Sequence, residues 1–121
     1  ELMGVDNQTY GAQLSGVMGR TIKGSVQKLF HNRLEQNFPN PFNPQTTIAF
    51  SIQKASNVHL SIYDVTGSRV RDLVDEKRVP GAYRVVWDGL NQKGNSVASG
   101  VYFYKLTAGE FTSAKKMVLL K

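Results

Sequence analysis

"LEQNFPNPFNPQTTIAFSI", residues 34–52, joins a proline-studded run to an alternating apolar one. Pro39, Pro41 and Pro44 fix φ and carry no backbone donor, so residues 38–44 can be neither the middle of a helix nor a central strand. Each residue ahead of a proline is also pushed toward extended geometry, which stiffens the segment. Directly after it, Ile48, Phe50 and Ile52 share one parity, the period of a half-buried β-strand. The expectation is a rigid proline-rich spacer over 34–45, leading into the first strand of a β domain over 46–121.

Toward the C-terminus the period stays at two. "NVHLSIYD" places Val58, Leu60 and Ile62 on one face, and "QKASN" joins it to the preceding strand as a neighbour. "DVTG" at 64–67 has the Asp-first, Gly-last form of a type I turn. "SRVRDLVD" then reads as a shorter, charged strand suited to a sheet edge, and "EKRVPGA" as a further turn. "AYRVVWD" aligns Tyr83, Val85 and Trp87, the only tryptophan and the expected centre of the core. "GLNQKGNSVAS" is a polar loop. "GVYFYKLTAG" puts Tyr102, Tyr104 and Leu106 on one side and Val101 and Phe103 on the other, and "EFTSAKKMVLLK" returns beside it as a hairpin. About seven short strands with turns between them indicate an all-β, antiparallel immunoglobulin-like β-sandwich.

Toward the N-terminus the pattern dissolves. Residues 1–33 hold glycines at 4, 11, 16, 19 and 24, and each weakens a helix by about 1 kcal/mol. This reads as an extended Gly-rich arm, or the remnant of an upstream region, that cannot build a core alone. Ile22, Val26 and Phe30 share one parity, which suits a strand that could be donated to a sheet edge; a short helix capped by Ser25, with Val26, Leu29, Phe30 and Leu34 along one side, fits equally. The start "ELMGVDNQTY" lacks a basic then apolar leader and a leading methionine, so the chain reads as a mature or excised piece of something longer.

Composition narrows the function classes. Hydrophobic residues at 40% against 20% charged ones suffice for a core. The net charge of +6 is spread along the chain instead of concentrated in a stripe, so no nucleic-acid partner is expected. Without cysteine there are no disulfides and no thiolate chemistry. No nucleophile elbow, phosphate loop, dinucleotide fingerprint or H-E-x-x-H is present. His31 and His59 lack spaced partners for a metal, and His59 falls on the polar parity of its strand. "DGLNQKGNS" offers Asp88, Asn91 and Asn95 around Gly94, but Leu90 and Gln92 occupy positions where a calcium loop needs oxygens; a turn with Gly89 and Gly94 at positive φ accounts for it better. "NQT" at 7–9 fits a glycan acceptor, a pattern common by chance. Tyr102, Phe103 and Tyr104 do not make a sugar-stacking platform, because alternation sends Phe103 to the opposite face. No catalytic residue, metal or cofactor is expected.

The ordered set "LEQNFPNPFNPQTTIAFSI", "VHLSIYDVTGSRVRDLV", "GAYRVVWDGLNQKGNSVASGVYFYKL" and the closing "KKMVLLK" resembles the type A C-terminal sorting domain of cargo proteins of the bacterial type IX secretion system. It is similar also to the immunoglobulin-like domain of the flagellar hook-capping protein. The resemblance covers residues 34–121. It implies an export address, recognised in the periplasm by the outer-membrane translocon, after which a sortase removes the domain and links the cargo to surface lipopolysaccharide; the destination is the cell surface or the extracellular space. It assigns the sorting signal to Gly100, Tyr102, Lys105, Lys116, Met117, Val118 and Leu119. The short arm departs from the large cargo usual upstream. A second reading from a different class is a structural subunit of an extracellular fibre, self-assembling by donation of the arm that carries Ile22, Val26 and Phe30.

Overall fold

The computed structural model describes residues 29–121. Its strands are β1 (Arg33–Leu34), β2 (Thr46–Ile52), β3 (Ser56–Tyr63), β4 (Arg69–Arg78), β5 (Gly81–Trp87), β6 (Gly100–Ala108) and β7 (Phe111–Leu119). Two antiparallel sheets, β1-β2-β5 and β4-β3-β6-β7, face each other as an immunoglobulin-like sandwich. Alternation decides what lies between them: Ile48, Phe50 and Ile52 of β2 meet Val58, Leu60 and Ile62 of β3, Tyr104 and Leu106 of β6, and Met117 and Leu119 of β7, all buried. Trp87 is 0% exposed at the centre, with the Phe42 ring 5.7 Å away and Tyr102 edge-on at 5.5 Å. Such aromatic contacts add to area burial.

Three expectations are corrected. β2 and β3 follow one another in the chain yet do not pair: residues 53–55 carry the chain from one sheet to the other. β4 is not short; it runs ten residues through Arg78, into the stretch read as a turn. Its ladder with β3 absorbs the extra length through irregularities at Leu60/Ser61 and Ile62/Tyr63. Third, 34–45 does not stand off from the sandwich. Leu34 pairs with Phe50, Phe38 bridges to Thr47, and Phe42 is 2% exposed and bridges to Leu119. The prolines do keep the segment out of regular structure, but the apolar ring between them is drawn into the core.

Polar bonds fix that segment. The Tyr104 hydroxyl donates to Glu35 O at 2.6 Å and accepts from Asn37 N at 2.8 Å. The buried Asn37 amide donates to Thr46 Oγ1 at 2.9 Å and Pro39 O at 3.1 Å, and Thr46 in turn donates to Pro39 O. Burial pushes the Tyr104 hydroxyl pKa up to about 12, so it keeps its donated proton at any physiological pH.

The sheet edges are treated unequally. Gln36 Nε2 donates to Lys116 O, Asn40 Oδ1 accepts from Val118 N, Phe42 N donates to Val118 O, and Leu120 N donates to Phe42 O. The C-terminal half of the β7 edge is thereby closed. β4 guards the other edge of its sheet with charge. In the smaller sheet, Thr47 exchanges backbone bonds with Phe38, and Glu35 N donates to Ala49 O, so residues 47, 49 and 51 turn their backbones toward β1 and residues 46, 48, 50 and 52 toward β5. Register then turns the backbone groups of Ala82, Arg84 and Val86 off the far edge, with no partner among the described residues.

Phe42→Ala should destabilise the domain by ~3–5 kcal/mol, on the same scale as Trp87→Ala, as truncating a buried aromatic does. Urea unfolding followed by Trp87 fluorescence measures Phe42→Ala, and circular dichroism measures Trp87→Ala; a near-neutral Phe42→Ala would return the segment to the role of a spacer.

Candidate functional site

The C-terminal hairpin divides the seven signal candidates between two faces. Tyr102, Met117 and Leu119 point inward and are buried. Tyr102 donates its hydroxyl to Ala98 O at 2.7 Å, and burial raises its pKa. Gly100, paired with Leu119, sits at φ 152°, a conformation that favours glycine. Lys105 and Lys116 are exposed on the outer face, and Val118 is half-buried beside them. In the folded domain, three of the seven are core residues and only the two lysines and Val118 present side chains outward.

Of the arm candidates, Ile22 and Val26 lie outside the described residues, as does the glycan pattern at 7–9. Phe30 is described: it is half-buried and outside any strand, just ahead of β1.

On the outer face of the larger sheet, β3 and β4 bring together three residues whose types belong to hydrolytic chemistry. Ser61 Oγ donates to Asp72 Oδ1 at 2.6 Å, and His59 Nε2 lies 2.9 Å from both Asp72 Oδ1 and Ser61 Oγ. Arg69 Nη1 reaches both Asp72 oxygens, at 2.9 and 3.0 Å. A nucleophilic relay uses the two imidazole nitrogens for separate roles and exposes the hydroxyl to substrate. Here one nitrogen faces both partners and Ser61 is 1% exposed. The arrangement is a polar clasp between strands, with Asp72 as its hub. Its pKa is held down to about 2, first by the Ser61 hydrogen bond and then by Arg69 and His59, against the opposing effect of burial. Sequence reasoning saw His59 alone: Asp72 arrives only through the β3–β4 register.

The loop after β5 turns its oxygens inward on itself. Asp88 Oδ1 accepts from Leu90 N and Arg71 Nη1, both at 3.1 Å, and Asn91 Oδ1 accepts from Lys93 N and Asn95 N. Gly89 and Gly94 take φ 78° and 87°. These side-chain oxygens are engaged in the loop's own hydrogen bonds. The loop is pinned by Trp87 Nε1 to Leu90 O at 2.9 Å and by Gln92 N to Val70 O at 2.9 Å. Between it and the 64–67 turn lies an open cleft of about 410 Å³, lined by Asp64, Arg69, Lys93 and Tyr102 among others. The Asp64 carboxylate is already engaged by Thr66 and by the Ser68 amide. Among the described residues no helix is long and apolar enough to cross a membrane.

The FlgD Ig-like domain family matches residues 40–110, more than half of the chain. Similar solved structures include dimeric latent PorU of Porphyromonas gingivalis, 23% identical with a TM-score of 0.59 over 74% of this chain and 9% of that one. PorZ of the same organism, an essential surface component of its type IX secretion system, is 20% identical with a TM-score of 0.51 over 88% of this chain and 13% of its own. FlgD of Xanthomonas campestris, described for hook capping in flagellar assembly, is 23% identical with a TM-score of 0.51 over 80% of this chain and 72% of its own. At these identities the likeness is one of fold, and the chain spans only a small part of PorU and PorZ. No curated protein matches the sequence significantly.

Asp72 is a carboxylate with a lowered folded pKa, so its stabilising contribution is present above about pH 4 and lost as pH falls toward 2. Asp72→Asn should therefore lower stability at pH 7 by about 1 kcal/mol, modest because the clasp is solvent-screened. The gap to wild type should close near pH 2. Urea midpoints at the two pH values test this; a gap that is unchanged in acid would exclude the ionised carboxylate as its source.

Proposed function

The chain belongs to the FlgD Ig-like domain family, and from that premise we propose that it is a non-catalytic sorting module that directs an exported protein across the bacterial outer membrane to the cell surface through a type IX machinery. The observation that carries this reading is the build of the C-terminal hairpin. Its inward residues Tyr102, Met117 and Leu119 make the signal region part of the core, while Lys105 and Lys116 stand on an outer face free to be touched. An address of this kind is legible only on a folded domain. The ordered motifs of residues 34–121 and the fold shared with PorZ, itself a type IX surface component, support the same assignment. The partners it implies are the translocon and the sortase, with surface lipopolysaccharide as the acceptor for the cargo. The Ser61–His59–Asp72 clasp supplies no reacting hydroxyl to solvent, which supports a non-catalytic role.

A second reading, a fibre subunit assembling by strand donation, is favoured by one observation. The β5 edge carries outward backbone groups at Ala82, Arg84 and Val86, and exposed Val86 lies on it. Open edges of this sort accept an added strand. β1 and β5 are opposite edges of one sheet, so an arm entering beside β1 could extend the sheet from copy to copy, head to tail.

A reporter fused ahead of residues 34–121 should reach the surface of a type IX host, and deleting 116–121 should leave it in the periplasm. Surface delivery of the truncated fusion would remove the export reading. For the fibre, Arg84→Pro deletes an outward N–H without touching the β2–β5 ladder, so it should abolish polymers seen by electron microscopy and leave the monomer folded. Absence of polymers in wild type, or their persistence in Arg84→Pro, would exclude donation at β5.

A further inference from the structure

Strand register builds a feature on the outer face of the larger sheet that neighbours along the chain do not reveal. Tyr63 pairs with Arg69 on one side and with Phe103 on the other, and Phe103 pairs with Lys116. A single row thus reads Arg69, Tyr63, Phe103, Lys116 across all four strands, about 14 Å at the usual strand spacing. Beside it, Val101 pairs with Val118 to extend the apolar strip, and Lys105 lies one row away, opposite Ser61. Phe103 is 38% exposed, and Tyr63, Val101 and Val118 are half-buried.

The charges around this strip do not cancel. Asp72 is committed to Ser61, His59 and Arg69, and Asp64 to its own turn. Lys105 and Lys116 have no ion-pair partner among the described residues. The face is an aromatic and valine strip beside two lysines that no carboxylate among the described residues pairs. The backbone at Lys116 and Val118 also turns its outward groups into Gln36, Asn40 and Phe42, so a partner meeting this end of β7 must use side chains on the face instead of adding a strand at the edge.

We infer that this face docks an acidic peptide segment of a protein partner, one that lays an aromatic or branched apolar residue on Tyr63 and Phe103 and sets carboxylates against Lys105 and Lys116. Charge complementarity selects the occupant. Lys105 and Lys116 together suit two carboxylates, whereas a nucleic-acid strand asks for cations that track its backbone. A glycan asks for hydrogen-bonding groups around its hydroxyls, which Phe103, Val101 and Val118 do not provide. The inference rests on the export reading for the partner's location and adds to it the surface and the chemistry of contact.

A fluorescein-labelled peptide of alternating Glu and Tyr, eight residues long, serves as the probe against the full 121-residue chain. Anisotropy should show binding that weakens with salt. The double variant Lys105→Glu/Lys116→Glu and the single variant Phe103→Ser should each weaken it at least tenfold with unchanged melting temperature, while Arg84→Glu on the opposite sheet should not. No binding, binding indifferent to these variants, or equal binding of oligo-dT or heparin would overturn the inference. In the type IX host, the reporter fusion carrying Lys105→Glu/Lys116→Glu should accumulate in the periplasm. Normal export of that variant beside normal export of wild type overturns the docking face and spares the export reading. Failure of the wild-type fusion to export overturns the export reading, and the peptide arm then decides the docking face by itself.

Discussion

The burial of the 34–45 segment is the constraint on which the rest of the structure depends. One phenolic oxygen, that of Tyr104, accepts from Asn37 N and donates to Glu35 O from inside the core, while Phe42 sits against Trp87. The two contacts act together. Without the hydrogen bonds, a buried hydroxyl and a buried backbone amide would be left unsatisfied, each at a cost of about 1–3 kcal/mol. Without Phe42, the Trp87 ring would lose an aromatic neighbour and border a cavity. The segment thereby ties the smaller sheet, through Phe38 and Thr47, to the larger one, through Phe42 and Leu119.

That tie shapes what the domain can present. The last strand is the natural place for an open edge, yet its C-terminal half is bonded to Gln36, Asn40 and Phe42. A proline-rich segment suits such a cover, because it runs alongside a strand, satisfies a few chosen groups through the residues between its prolines, and offers no continuing ladder of its own. What this half of β7 leaves accessible is its outer face, since its edge is bonded to the 34–45 segment. Among the described residues, the open ladder positions lie instead on the other sheet, at Ala82, Arg84 and Val86 of β5.

The Ser61–His59–Asp72 clasp shows how far residue types can mislead. Three groups found together in hydrolases are here within 3 Å of one another, but one imidazole nitrogen serves both partners and the hydroxyl is buried. The same atoms that would be a relay in a cleft become a cross-strand bracket on a sheet. Asp72 owes its low pKa to the hydrogen bonds from Ser61, Arg69 and His59, and the same bonds favour the folded β3–β4 pair.

Strand identity was legible in the sequence because burial on one face imposes a period of two, and the parities of 48–52, 58–62, 83–87 and 102–106 carry the inward set directly. The turns at 64–67 and 88–97 were legible too, since Asp, Asn and Gly satisfy local backbone demands with local atoms. What periodicity cannot encode is which strand lies beside which. β2 and β3 are adjacent in the chain and belong to different sheets, and Phe42 escapes any alternation because it sits among prolines. The Tyr63–Phe103–Lys116 row and the Asp72 clasp also join residues from separate strands. Their proximity was decided by tertiary structure alone, because cross-strand register follows from how two sheets close over one shared core.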